Sequence, residues 1–247
     1  MTRPVPAATA ALRVLRFLSA RATPAPAARI AGDLGLPRSS AYHLLRAMAA
    51  EGFVVHYPEE RTWGIGVAAW EVGQGFSRQE PLARLARVPL ARLVDAVDLS
   101  GHLAVLHGTD VLYLIEERAH GRDRLVSDVG VRLPAHLTAS GRAILAGLTP
   151  AQVRALYPSP ASLVQRTGRG PTTLRELRVV LAATQRLGHA VEDSEVTEGF
   201  ASVAVRVAAE PTPAAVALTW RSTLDVDPDA LLSRLNATAA EIEARLR

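Results

Sequence analysis

Two stretches of the chain carry side chains whose types and spacing could do chemistry. In the first, Arg38, Ser39, Ser40, Tyr42, His43 and Arg46 lie on or beside one face of a helical pattern. The opposite face is Ala41, Leu44, Leu45 and Met48, spaced i, i+3, i+4 and i+7. Arginine pairs with phosphate or guanine, small serines let a backbone approach, and the open N–H groups of a helix start attract anions, so this face suits a DNA major groove. In the second, Thr138 precedes Ala139, Ser140 and Gly141. A threonine there can cap a helix over Ala139 to Leu145, leaving the amides of Ala139, Ser140 and Gly141 open to a carboxylate or phosphate among small side chains. An ordinary amphipathic hairpin and an ordinary capped core helix are the plain alternatives, and the residues alone leave both open.

The first stretch needs a frame around it. Ile30, Ala31 and Leu34 form an apolar stripe, Gly35 can end that helix in the left-handed conformation, and Pro37 fits the first turn of the next. The pattern predicts helix, tight turn, helix. Ahead of it, Met1 to Ala8 reads as a disordered tail, and Thr9 as the N-cap of a helix that buries Leu12, Leu15, Phe17 and Leu18. After Gly52 the period becomes extended: Phe53 to Tyr57, a turn at Pro58 to Glu60, then Arg61 to Ile65, a two-stranded wing. Arg61 near its tip can reach the DNA backbone or minor groove, or merely balance Glu59 and Glu60. Val67 to Ser77 reads as a helix with Trp70, Val72 and Phe76 on a broad apolar surface, which calls for a partner copy or for its own domain.

The second stretch sits among strands and helices. A helix over Pro81 to Ala96 is followed by a hairpin of His102 to His107, a turn at Gly108 to Asp110, and Val111 to Glu116. His102 and His107 are five apart, which puts them on opposite faces of a regular strand and argues against a shared metal. Leu125 to Val129 reads as a further strand. Thr149 caps Pro150 to Leu156, Ser159 to Pro171 is a loop, and Thr172 caps Thr173 to Leu187, ended by Gly188. Ser202 to Val207 and Ala214 to Trp220 pair as strands, with Thr219 or Trp220 at a pocket mouth. The last helix, Pro228 to Arg247, carries a packing stripe of Leu231, Leu235, Ala239, Ile242 and Leu246.

Composition narrows the classes. In 247 residues, 49% are hydrophobic, enough for a packed core, yet no charge-free apolar run approaches the roughly 18 residues of a membrane span. With no apolar signal core at the N-terminus, the expectation is a soluble cytoplasmic protein away from membranes. The absence of cysteine excludes disulfides and thiolate metal sites. All 28 basic residues are arginine; nine of them face five carboxylates over residues 1–78, while the remaining 19 and 19 cancel. The whole excess of +4 thus belongs to the N-terminal third, as for a nucleic-acid-binding head on a neutral body.

The segments GLPRSSAYHLLRAMAAEGFV, LPAHLTASGRAILA and DSEVTEGFASVAVRV together make the chain resemble the IclR family of bacterial transcriptional regulators over nearly its whole length. Departures are Ala135 where leucine is common, Arg142 where lysine is common, and Arg61 to Gly66 in place of an arginine-tyrosine-arginine-leucine-glycine wing. The resemblance implies an α+β protein. Residues 1–66 form a winged helix-turn-helix domain, 67–80 a linker helix, and 81–247 a GAF-like effector domain with an antiparallel sheet flanked by helices. It also implies operator DNA as partner, dimers and often tetramers, a small organic or aromatic acid as effector, repression or activation of transcription, and neither catalysis nor a cofactor or metal. The effector carboxylate would rest on the amides of Ala139 and Ser140, with Glu192 and Ser202 as further pocket positions and a change of head spacing as the response. The family often has aspartate at position 192; the longer glutamate shrinks the pocket and repels an anion unless a donor hydroxyl or a proton intervenes. Two rivals are a constitutive DNA-binding protein with a dimerisation-only C-terminal domain, and an enzyme using His136, Glu192 and Ser202 as acid, base and nucleophile. No nucleophile elbow or phosphate loop accompanies the latter, and His136 reads better as ordering the turn before its helix.

Overall fold

Pro6, at the first helical position, opens the chain's first helix three residues before the threonine expected to cap it. The computed structural model describes residues 5–79, 81–122, 125–209 and 212–246, which fall into two units, Met1–Gln79 and Glu80–Arg247. In the first unit, α1 (Pro6–Ser19) starts at a proline whose missing N–H costs nothing there. Thr9 lies inside the helix and donates to Val5 O at 3.1 Å, so the expected tail is helical from Pro6. The buried stripe runs through Val14 and Leu18, while Leu12, about 160° from the first and about 120° from the second around the helix, is 62% exposed.

A two-residue strand β1 (Ala25–Pro26) leads into α2 (Ala27–Leu34). Gly35 at φ +65° ends α2, and Pro37 is extended just outside α3 (Arg38–Ala50) instead of within its first turn. Ala41, Leu45 and Met48 are buried as the spacing demands. The wing is β2 (Val54–Tyr57) and β3 (Thr62–Ile65), and β1 adds to its far side to give the order β1-β3-β2. α4 (Val67–Gln79) runs two residues past the expected end and leaves Val67, Trp70 and Val72 exposed. The side chain of Phe76 lies outside the described residues.

The second unit is a six-stranded antiparallel sheet between two helical layers. Its elements are α5 (Pro81–Val97), β4 (Ser100–His107), β5 (Asp110–Arg118), β6 (Arg132–Pro134), α6 (Ala139–Leu145), α7 (Pro150–Leu156), α8 (Leu174–Leu187), β7 (Ala190–Asp193), β8 (Phe200–Val207), β9 (Ala214–Arg221) and α9 (Pro228–Leu246). The strand order is β6-β5-β4-β9-β8-β7. On one face Leu90 of α5 and Leu235 and Ile242 of α9 pack against Leu103, Ile115 and Leu218. On the other, Ile144 and Leu145 of α6 and Leu177 of α8 pack against Tyr113, Ala204 and Ala217. Burying a sheet on both faces requires nearly continuous apolar strands, which is how β4, β8 and β9 read.

Two local expectations are corrected, and one feature was not foreseen. Residues 125–129 form no strand: Asp128 accepts from its neighbour's amide, Val129 N, at 2.7 Å and Gly130 turns the chain at φ +84°. Thr173, not Thr172, caps α8, in a capping box with Glu176 like that of Thr149 with Gln152. In β5 a bulge reverses the alternation: Leu103 opposes Ile115 while Ala104 opposes Tyr113, so Tyr113 and Ile115 face opposite cores although two residues apart. No helix among the described residues is long and apolar enough to cross a membrane.

Candidate functional site

The N-terminal unit holds the proposed DNA face. Pro37 has no side chain able to cap α3, so the first-turn amides of Arg38, Ser39 and Ser40 keep no acceptor among the described residues. Arg38, Ser39, Ser40, Tyr42, His43 and Arg46 are all exposed. Neither Arg38 nor Arg46, nor Arg61 on the wing turn, has a carboxylate partner among the described residues. Arg61 adopts φ +53°, uncommon for a residue with a Cβ, and sits exposed at the turn.

Tyr42 does a second job that its exposed position concealed. Its ring meets Trp63 edge-on at 6.1 Å, and the His56 ring lies on Trp63 at 4.4 Å. Trp63 itself is 3% exposed. The residue that departs from the expected wing pattern is therefore a core anchor that ties β3 to the helix presenting the arginines. Only a tertiary contact could reveal this, since Tyr42 and Trp63 share no sequence period.

The C-terminal unit holds a cavity of about 70 Å³ at the start of α6. Thr138 is extended and its Oγ1 accepts from Gly141 N at 3.0 Å. Of the three amides expected to be open, Gly141's is thus taken, and those of Ala139 and Ser140 have no acceptor among the described residues. Gly141 serves packing instead of ligand approach: a Cβ there would stand 2.2 Å from Ala135 O and 2.4 Å from Ala135 Cα.

Across the cavity, Glu192, Ser202 and Thr219 form one row, directly opposite each other on β7, β8 and β9. Ser202 Oγ donates to Glu192 Oε1 at 2.8 Å and is 2.9 Å from Thr219 Oγ1. Glu195 N donates to Glu192 Oε2 at 3.3 Å. Burial pushes Glu192 up to about 7, against the lowering pull of the Ser202 hydroxyl and the Glu195 amide. Thr219 is the pocket residue; Trp220 lines a neighbouring cavity of about 150 Å³ that shares Leu125, Phe200 and Thr219 with the first.

Two groups named in the sequence reading take places it did not assign them. His102 lines the cavity with Nε2 2.8 Å from Ser127 Oγ, and burial pushes its pKa down to about 4, so it is neutral near pH 7. His107, on the opposite side, is exposed, and among the described residues no three histidines or carboxylates come together as metal ligands. Arg142 is 3% exposed within α6. Its Nε donates to His136 O and its Nη1 to Val191 O, both at 2.9 Å, while Nη2 and Nη1 hold Glu195 in a buried pair. A lone arginine inside an otherwise small-and-apolar helix was the one available hint.

The enzymatic arrangement does not assemble. His136 is buried against Tyr157, its Nε2 2.8 Å from Val164 O, and lies outside the cavity that Glu192 and Ser202 line. It ties the loop before α6 to residue 164.

Comparison with known proteins gives consistent matches. A family described as "IclR helix-turn-helix domain" matches residues 7–58, and one described as "Bacterial transcriptional regulator IclR C-terminal" matches residues 76–244. The HTH-type transcriptional regulator XynR of Escherichia coli (strain K12) is 30% identical over 202 residues, covering 80% of this chain and 78% of its own length. A crystal structure of an IclR transcriptional regulator from Alicyclobacillus acidocaldarius superposes with a TM-score of 0.85 at 23% identity, covering 99% of this chain and 100% of that one. An IclR homolog from Microbacterium hydrocarbonoxydans, crystallised with 4-hydroxybenzoate, superposes at 0.82 with 23% identity over 98% and 99% of the two chains. At such identities the two structures speak for the fold.

Proposed function

The chain belongs to the IclR family of bacterial transcriptional regulators, and from that premise we propose how its residues divide the work. Residues 1–66 bind operator DNA, 67–80 connect, and 81–247 bind an effector and join copies into a dimer or tetramer. α3 enters the major groove with Arg38, Ser39, Ser40, His43 and Arg46, Tyr42 braces the wing, and Arg61 follows the backbone beside it. A small carboxylic acid occupies the cavity, with its carboxylate at the Ala139 and Ser140 amides and Glu192 and Ser202 opposite. Its binding changes operator affinity through differential affinity for two states of the protein, without any reaction of the acid. The protein works in the cytoplasm, where its DNA is. The relative crystallised with 4-hydroxybenzoate makes that acid a reasonable first probe.

The observation that carries the reading is the exposed face of α3, whose arginines have no carboxylate partner among the described residues. The test is binding of the full-length protein to fluorescent DNA from upstream of its own gene across a salt series. Affinity is expected to fall linearly with the logarithm of salt concentration, and each phosphate contact contributes a slope of about −0.9. Arg38→Ala with Arg46→Ala should flatten the slope by about 2 and weaken binding by roughly 100-fold at moderate salt. Binding insensitive to salt, or untouched by the double replacement, would contradict the assignment of α3.

A further inference from the structure

We propose that Glu192, Ser202 and Thr219 form a hydrogen-bond relay whose direction reverses with one proton, so that an anionic effector enters the cavity together with that proton. This rests on the reading of the cavity as an effector site and adds how the site handles charge.

The three polar groups stand in series across three strands: Ser202 Oγ lies 2.8 Å from Glu192 Oε1 and 2.9 Å from Thr219 Oγ1. Each hydroxyl has a single proton to give. When Glu192 is ionised, Ser202 must donate to the carboxylate and Thr219 to Ser202. Thr219 then shows the cavity only lone pairs. When Glu192 carries a proton on Oε1, the carboxyl donates to Ser202, Ser202 donates to Thr219, and the Thr219 proton is free to meet a ligand oxygen. The end of the chain has changed from acceptor to donor. One O–H bond forms at Glu192 with a proton from solvent, two hydroxyls rotate, and no bond between heavy atoms changes.

The groups facing Glu192 favour this coupling. Among the described residues no arginine lines the cavity. Glu195, on the turn after β7, adds a like charge, whereas Arg142 of α6 attracts but is committed to Glu195. From β4, His102 is neutral; from β5, Tyr113 is held protonated by burial and by the charge of Glu192; Ser202 of β8 and Thr219 of β9 carry none. An acid anion thus meets repulsion from an ionised Glu192, and an O–H donor once Glu192 is protonated. Titration of Glu192 at about 7 puts the exchange within reach of ordinary pH.

The Glu195 amide also decides what a glutamine would do at position 192. That amide needs an acceptor, so it holds the carboxamide oxygen and turns the NH₂ toward Ser202. Glu192→Gln therefore locks the relay in its donor direction at every pH.

Calorimetry of the full-length protein with acetate, glycolate and 4-hydroxybenzoate, at pH 6 and pH 8 in two buffers of unlike ionisation enthalpy, tests the proposal. For a group titrating near 7, uptake is expected to be about 0.9 proton per acid bound at pH 8 and about 0.1 at pH 6, with affinity roughly tenfold weaker at pH 8. Glu192→Gln should take up no proton and bind at pH 8 about tenfold more tightly than the wild type, a gain that a misfolded variant would not produce. Thr219→Val should weaken binding at both pH values. Binding with no proton uptake and equal affinity at pH 6 and pH 8 overturns the relay and leaves the effector site standing. If none of the three acids gives heat or shifts the melting temperature at either pH, the effector reading fails, and the relay with it.

Discussion

Replacing Arg142 by alanine is expected to lower the stability of the C-terminal unit by about 3–5 kcal/mol. The guanidinium is nearly inaccessible and satisfies four acceptor positions: His136 O, Val191 O and both oxygens of Glu195. Removing it leaves two backbone carbonyls without their donor and Glu195, whose side chain is only 18% exposed, without its counter-charge. The penalty comes from the orphaned groups more than from the lost attraction, which is why breaking a buried pair costs far more than a surface pair is worth. For a unit of this size the melting temperature should fall by roughly 10 °C. Arg142→Lys, the residue the family pattern favours, keeps the charge but cannot direct donors along three separate lines, so it should recover only part of the loss. Urea unfolding of the three proteins measures it, and a change below about 1 kcal/mol for the alanine variant would mean that Glu195 and the carbonyls find other partners.

Gly141→Ala should be at least as damaging, through packing alone. Its added methyl would overlap Ala135 O at 2.2 Å, Ala135 Cα at 2.4 Å and Ala135 C at 2.6 Å, all backbone atoms that cannot rotate aside. α6 must lift from the 135 turn or the turn must move, and overpacking of this kind exceeds the usual cost of about 1–3 kcal/mol. Loss of more than about 3 kcal/mol is expected, together with loss of any response to acid, because Thr138 and the Ala139 and Ser140 amides move with the helix start. Gly147→Ala is the control. Its Cβ would come as close, 2.4 Å, but to the guanidinium of the exposed Arg206, which can swing away, so a change within about 1 kcal/mol is expected. Thermal melts followed by circular dichroism separate the two glycines; equal effects would show that backbone overlap is not what matters at 141.

Much of the head was legible because its signals are local. Gly35 ends a helix wherever it stands after a stripe such as Ile30, Ala31 and Leu34, and the spacing of Ala41, Leu45 and Met48 decides which face of α3 is left to Arg38 and Arg46. Thr9 does not start α1 because Pro6, three residues earlier, fits a first helical turn without any side-chain cap. β1 gave no signal, since two residues have no period, and its place is decided by pairing Ala25 with Trp63, 38 positions away.

The amino-acid sequence by itself determined the caps at Thr138 and Thr149, the helix ends at Gly35 and Gly188, the apolar runs of β4, β8 and β9, the position of the positive charge and the family resemblance, all of which depend on neighbours within a few residues or on the chain taken as a list. Tertiary structure alone decided which polar groups meet. Glu192, Ser202 and Thr219 become one row only through the register of three strands, and Tyr113 joins their cavity only because a bulge reverses the alternation of β5. Gly141 was visible as a small residue, yet whether its smallness serves a ligand or the Ala135 backbone depends on where a turn six residues back is held. Strand register and close backbone approach are set by the joint packing of distant segments, and no local pattern encodes them.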